Sequence, residues 1–84
     1  PGKILSRLKK QLEKYETMLS ESEKKVDEYK MQLMNPELAS DYPKLMDIQN
    51  KLDVEEKNQE SILERMLETE LELEEMQEDR TNEQ

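Results

Sequence analysis

Two long stretches of this chain repeat apolar residues at steps of three and four, and a proline-marked gap separates them. The first repeat runs Leu5, Leu8, Leu12, Tyr15, Leu19, Ser22, Val26, Tyr29 and Leu33, with eight of the nine positions apolar. Strict alternation of those steps is the a/d seam of a coiled-coil heptad, sustained here over about four heptads. At the usual rise, such a helix extends roughly 43 Å. The second repeat runs Leu45, Ile48, Leu52, Glu55, Gln59, Ile62, Met66, Thr69, Leu73 and Met76, with seven of ten positions apolar. Glu55 and Gln59 make its middle the weak part.

The gap is the only place where the chain can reverse. Asn35-Pro36 stops the first helix, because a residue before proline is pushed out of the α region and proline cannot continue the ladder. Asp41 is placed to cap a new helix, with Pro43 tolerated in a first turn whose N–H groups lack helical partners. Glu37-Leu38-Ala39-Ser40 between them has room for about one helical turn. The pattern therefore predicts one domain over 1–84: helix 3–34, corner 35–42, helix 43–78 and a frayed acidic tail over 79–84. Neither helix can bury its stripe alone, and a short corner makes the two antiparallel neighbours. The fold class is all-α, a two-helix antiparallel coiled-coil hairpin. Leu38 and Tyr42 are expected to fold back over the end of the seam.

A register follows from placing a positions level with d positions. Setting Leu33 against Ile48 puts Tyr29 against Leu52, Val26 against Glu55, Ser22 against Gln59, Leu8 against Leu73 and Leu5 against Met76. The one polar residue of the first seam then meets a polar residue of the second, which opposes slippage. Glu55, opposite Val26, is expected to reach out to water.

Composition supports the same architecture. Of 84 residues, 32% are hydrophobic and 42% charged, with one Gly and no Cys or His. So polar a chain is either disordered or a coiled coil, and the sustained heptads decide for the latter. Without Cys or His, disulfides, zinc sites and the commonest proton-transfer side chain are missing. No apolar run reaches membrane-spanning length and no signal-peptide pattern opens the chain, so the expected setting is cytoplasmic. The net charge of −9 is unevenly spread. Residues 1–34 hold eight Lys/Arg and six Asp/Glu, net +2, whereas 35–84 hold five and sixteen, net −11. Lys3, Arg7, Lys10 and Lys14 recur at helical spacing on the outside of the first helix. Opposite that end lies an acidic run from Glu68 to Asp79, and the two are expected to attract across the seam.

Candidate chemistry is sparse. Carboxylates abound, but a two-helix hairpin has no concave interior in which to shift a pKa or exclude water. The serines have no His partner, and no Gly stands where a phosphate or calcium loop needs one. Catalysis and a cofactor are therefore not expected of this chain. The Lys3, Arg7, Lys10 and Lys14 stripe is either a solvated face or a weak phosphate track. Leu63, Leu67 and Leu71 step by four outside the seam; they either flank it or form a contact stripe for a third helix, from a second copy or another domain.

The corner carries a resemblance. Leu33-Met34-Asn35-Pro36-Glu37-Leu38-Ala39-Ser40-Asp41-Tyr42-Pro43-Lys44-Leu45-Met46-Asp47-Ile48 resembles the C-terminal domain of ABC-F family ATPases of the Uup type, a branch of the ABC transporter ATP-binding proteins. Leu-Glu-Lys-Tyr-Glu at 12–16 and Leu-Glu-Arg at 63–65 agree with it. The resemblance implies an antiparallel coiled-coil hairpin that follows two tandem ATP-binding cassettes. It implies a parent ATPase whose nucleotide-binding motifs lie in the cassettes, none being present here. It also implies docking to DNA, ribosomal RNA or a partner domain, including the protein's own cassettes. Family DNA binding is attributed to basic surface residues, so a chain at net −9 is expected to bind nucleic acid weakly at most, through Lys3, Arg7, Lys10 and Lys14. The alternative, from a different class, is a purely structural coiled-coil arm or spacer, as in a prefoldin-like chaperone or a filament.

Overall fold

In the computed structural model, which describes residues 2–82 and the side chains of 2–77, the chain runs as helix α1 (Gly2–Leu33), a 3₁₀ turn (Pro36–Leu38) and helix α2 (Tyr42–Asn82). The two helices pack along their length into a rod of 66 × 14 × 14 Å, an all-α hairpin. Its long axis is close to the roughly 62 Å expected of a 41-residue helix, so α2 sets the length and α1 lies alongside.

Every seam position predicted from the heptads is withdrawn from solvent, and the remaining faces are exposed. Leu8, Val26, Ile48, Leu52 and Ile62 are the buried apolar core, with Ser22 and Thr69 buried among them. Of the off-seam apolar residues within the two helices, Met18 is half-buried, whereas Ile4, Met31, Leu63, Leu67 and Leu71 stand in water, as does Met34 just past α1. The pairing is visible at both ends. Leu73 and Met76 are half-buried, which requires the first turns of α1, carrying Leu5 and Leu8, to lie beside them. Nearer the corner, Tyr29 shares a shallow surface groove with Asn50, Lys51 and Val54, as expected if it lies level with Leu52.

The corner is built from local hydrogen bonds. Asn35 is extended (φ −69°, ψ 118°), as the proline after it demands, and its Oδ1 accepts from the Glu37 N–H at 3.1 Å. The N–H groups of Leu38 and Ala39 then donate to the carbonyls of Asn35 and Pro36, closing the tight turn. Asp41 caps α2 as predicted, its Oδ1 accepting from the Lys44 N–H at 3.2 Å, with Pro43 in the first turn. Leu38 folds back to a half-buried position, but Tyr42 does not, remaining 69% exposed. Tyr42 is the first residue of α2, and its position in the heptad turns it away from the seam that Leu45 and Ile48 enter.

Helix α2 also continues to Asn82, past the predicted end at 78, so the expected frayed tail is helical over 79–82. The residues there include no Gly or Pro, and a helix already 37 residues long adds another turn without a nucleation cost. Glu83 and Gln84 lie outside the described residues.

These positions give the corner a testable signature. Leu38→Ala removes a partly buried side chain and is expected to cost about 1–3 kcal/mol, at or below the range for a fully buried leucine. Tyr42→Ala, on an exposed ring, is expected to stay within about 0.5 kcal/mol of wild type. Thermal melts of the two variants check this; equal effects would mean the corner is only a linker.

Candidate nucleic-acid and partner interface

The seam contains a polar layer that decides which faces are left for other work. Ser22 is only 2% exposed, at a position where the heptad requires a buried side chain. Its Oγ donates to Oε2 of Glu55 at 2.7 Å, and Asn58 Nδ2 donates to the same oxygen at 2.9 Å. Lys25 Nζ lies 4.0 Å from the other oxygen, Oε1. Glu55 therefore turns into the seam, with its side chain 13% exposed, instead of reaching out to water. The hydrogen-bond partner of Ser22 is Glu55, one layer nearer the corner, and not Gln59. Placing Glu55 level with Val26 leaves its flexible side chain within reach of the adjacent Ser22 layer, where the hydroxyl offers the only donor of the first seam apart from the tyrosines.

The two donors hold the carboxylate charged. The Glu55 pKa lies below its ordinary value, first through the Asn58 amide and then the Ser22 hydroxyl, with Lys25 adding a smaller attraction and burial opposing. The second buried polar residue, Thr69, uses its hydroxyl on its own helix, Oγ1 donating to the Arg65 carbonyl at 2.8 Å. Tyr15 keeps its ring in the seam while its hydroxyl accepts from Gln11 Nε2 at 2.9 Å. Among the described residues no buried side-chain polar atom is left without a partner. The polar groups of the seam are thus used within the hairpin, and the remaining charged side chains stand on the outer faces.

Lys3, Arg7, Lys10 and Lys14 are all exposed on one face of α1. Lys3, Arg7 and Lys10 line an open depression with Gly2 and Ser6 at the free end of the hairpin, while Lys14 stands a turn beyond it. Neither of the two ion pairs among the described residues, Lys25–Glu55 and Lys51–Asp47, involves them. The attraction expected between this stripe and the acidic run is therefore a diffuse field between outward-facing charges. Glu78 and Asp79 of that run lie outside the described side chains. Leu63, Leu67 and Leu71 lie on α2, away from the seam and about half exposed. The structure brings neither set into a cleft.

Among the described residues no group of three or more acidic side chains is placed to hold a metal ion, and no helix is long and apolar enough to cross a membrane. No family model, curated protein or solved structure matches this chain.

The heptads mark Glu55 as a flaw in the seam; the structure makes it a hydrogen-bonded layer. One signal was available in the sequence: Asn58, three residues on, is within side-chain reach on the same helix. The depressed pKa carries a definite sign. A carboxyl whose folded pKa lies below its unfolded one adds stability at neutral pH, and that stability is lost as pH falls below 4.5, the ordinary value, and through the folded one. Glu55→Gln is accordingly expected to flatten the acid limb of the stability-versus-pH curve, measured by urea melts between neutral and acid pH. Ser22→Ala is expected to cost about 1 kcal/mol at neutral pH by removing one of the carboxylate's donors.

Proposed function

We propose that this chain is a non-catalytic interaction arm, the C-terminal coiled-coil domain of an ABC-F-type ATP-binding protein, docking to nucleic acid, the ribosome or a partner domain. The observation that carries the reading is the exposed stripe of Lys3, Arg7, Lys10 and Lys14, which makes no ion pair among the described residues, on a rod whose seam residues are used up in packing. The resemblance of the Leu33–Ile48 corner to the Uup-type domain gives that arm its setting. In that setting the ATPase motifs belong to cassettes preceding the hairpin, and the protein works in the cytoplasm.

Charge limits how strongly such an arm holds a polyanion. Four cations on one face supply about four phosphate contacts, and the acidic α2 packs directly against α1. Binding is therefore weak, independent of base sequence, and dependent on salt. The arm contributes position, and any tight grip comes from elsewhere in the assembly.

Titration against duplex DNA and structured RNA at low salt tests this. The expected log–log salt slope on duplex DNA is about −3 to −4 for four contacts. Replacing Lys3, Arg7, Lys10 and Lys14 with Glu is expected to abolish binding while the circular dichroism spectrum is unchanged, because none lies on the seam. Binding that survives the reversal would assign the contact to a different surface. No binding to either polymer would leave docking to a protein as the arm's role.

A further inference from the structure

The apolar residues outside the seam are not evenly scattered. Leu63, Leu67 and Leu71 follow one another along α2 and are 47%, 57% and 50% exposed. Each step of four advances about 40° around a helix, so the three form one stripe that slants from the flank of the seam onto the outer face. On the same helical net Glu60, Glu64 and Glu74 border the stripe, and all three are exposed. Between positions 58 and 77 the sole base is Arg65, which the helical spacing puts on the opposite side of α2. The stripe is thus apolar along its middle and acidic along its edges.

The charge argues against a second copy as the occupant. Two such stripes face to face would set glutamate against glutamate, on chains that each carry −9. Three half-exposed leucines also bury far less than the ~1,200 Å² of a stable protein interface. Attraction between opposite charges must therefore contribute to holding any occupant. The chain's own basic stripe is a poor source. Within one hairpin Lys3, Arg7, Lys10 and Lys14 face outward from α1. In a second copy they have Ser6, Gln11 and Thr17 beside them and no row of leucines to lay on the stripe.

We propose that the Leu63–Leu67–Leu71 stripe, with its glutamate borders, is a docking site for a basic amphipathic helix of a separate protein. The occupant presents apolar residues at steps of three and four, with Lys or Arg on both sides. Its apolar side chains lie between the leucines as ridges in grooves, adding a third helix to the hairpin. The glutamates speed encounter and select the sign of the partner's charge. This deepens the interaction-arm reading and rests on it only in treating the outer faces as docking surfaces.

The test is an anisotropy titration of the 84-residue chain with a labelled synthetic peptide. The probe has about 18 residues, some five helical turns, with leucines at steps of four flanked by Lys and Arg. A second peptide of identical composition has its leucines scrambled off the stripe. The patterned peptide is expected to bind at least about tenfold more tightly than the scrambled one. Leu63→Ser, Leu67→Ser and Leu71→Ser combined should lose about tenfold or more of that affinity with an unchanged helical spectrum. Glu60→Gln, Glu64→Gln and Glu74→Gln combined should weaken binding and flatten its salt dependence. Equal binding of the two peptides, or full binding by the serine variant, would overturn the proposal. So would a dimer of the chain alone that the serine substitutions return to monomer. The Lys3, Arg7, Lys10 and Lys14 charge reversal should leave peptide binding intact, so loss of nucleic-acid binding and loss of peptide binding are read separately.

Discussion

Two helices with one apolar stripe each have a single way to hide both, and the rest of this structure depends on that mutual burial. With 42% of residues charged, no second layer is available to cover another face. The seam must take nearly all the apolar side chains that leave water, and it does so from Leu5 and Met76 at the open end to Leu33 and Ile48 near the corner. The hydrophobic driving force scales with the area removed, so a thin seam must be long to be stable. That length, in turn, spreads the outer faces over a rod of 66 Å, far larger in surface than a compact domain of the same size would offer. Reach and stability therefore come from the same requirement.

A long uniform seam is prone to slip by a heptad, and the polar layer bears on that. Placing Ser22 and Glu55 in the seam forgoes apolar burial at two positions, and burying the carboxylate adds a desolvation cost. The cost is offset only where the Ser22 hydroxyl and Asn58 amide both reach the same oxygen. A slip that carried Glu55 toward the corner side of α1 would set it against Leu33 and give up the Ser22 hydroxyl, leaving the bulky Tyr29 in the adjacent layer. The opposite slip would leave Leu73 and Met76 beyond the first turn of α1, although both are half-buried here. Polar matching thus blocks one direction and apolar burial the other. The corner reinforces both, because the Asn35 and Asp41 caps fix where α1 ends and α2 begins.

How legible all this was in the sequence differs from residue to residue. The hairpin was readable because every a and d position obeys a period that only a helix pair satisfies, and because Asn35-Pro36 and Asp41 are local signals with local causes. Tyr42 was misplaced because it was assigned to the corner, whereas it is the first residue of α2 and its heptad position turns it away from the seam. Glu55 was misread for a different reason. Its hydrogen bond from Ser22 joins residues thirty-three apart in sequence and depends on a bent side chain, so level pairing in the seam pointed to Gln59 instead. Helix α2 outran its predicted end because Asp79, Arg80, Thr81 and Asn82 include no Gly or Pro to stop a helix already formed. The outer stripes were legible as positions, but their partners were not, since a solvated face and a docking face share one pattern until something binds.

On the proposed reading, charge separation gives the two outer faces different roles. A basic stripe on α1 and an acid-bordered leucine stripe on α2 would then select occupants of opposite sign, one a polyanion and the other a cationic helix. They stand on different helices, so in principle one arm can hold both at once. Because both sit toward the open end of the rod, a polyanion on α1 and a basic helix on α2 would be brought within about two helix diameters, roughly 20 Å, of each other. At that separation, beyond the Debye length of about 8 Å at physiological salt, the bound charges barely influence each other directly. Any coupling between the sites must then pass through the seam, whose polar layer resists sliding. A rod with a fixed register would, on that reading, be a spacer that holds two ligands at a set distance, and the rigidity it needs is what the Ser22–Glu55 layer would contribute.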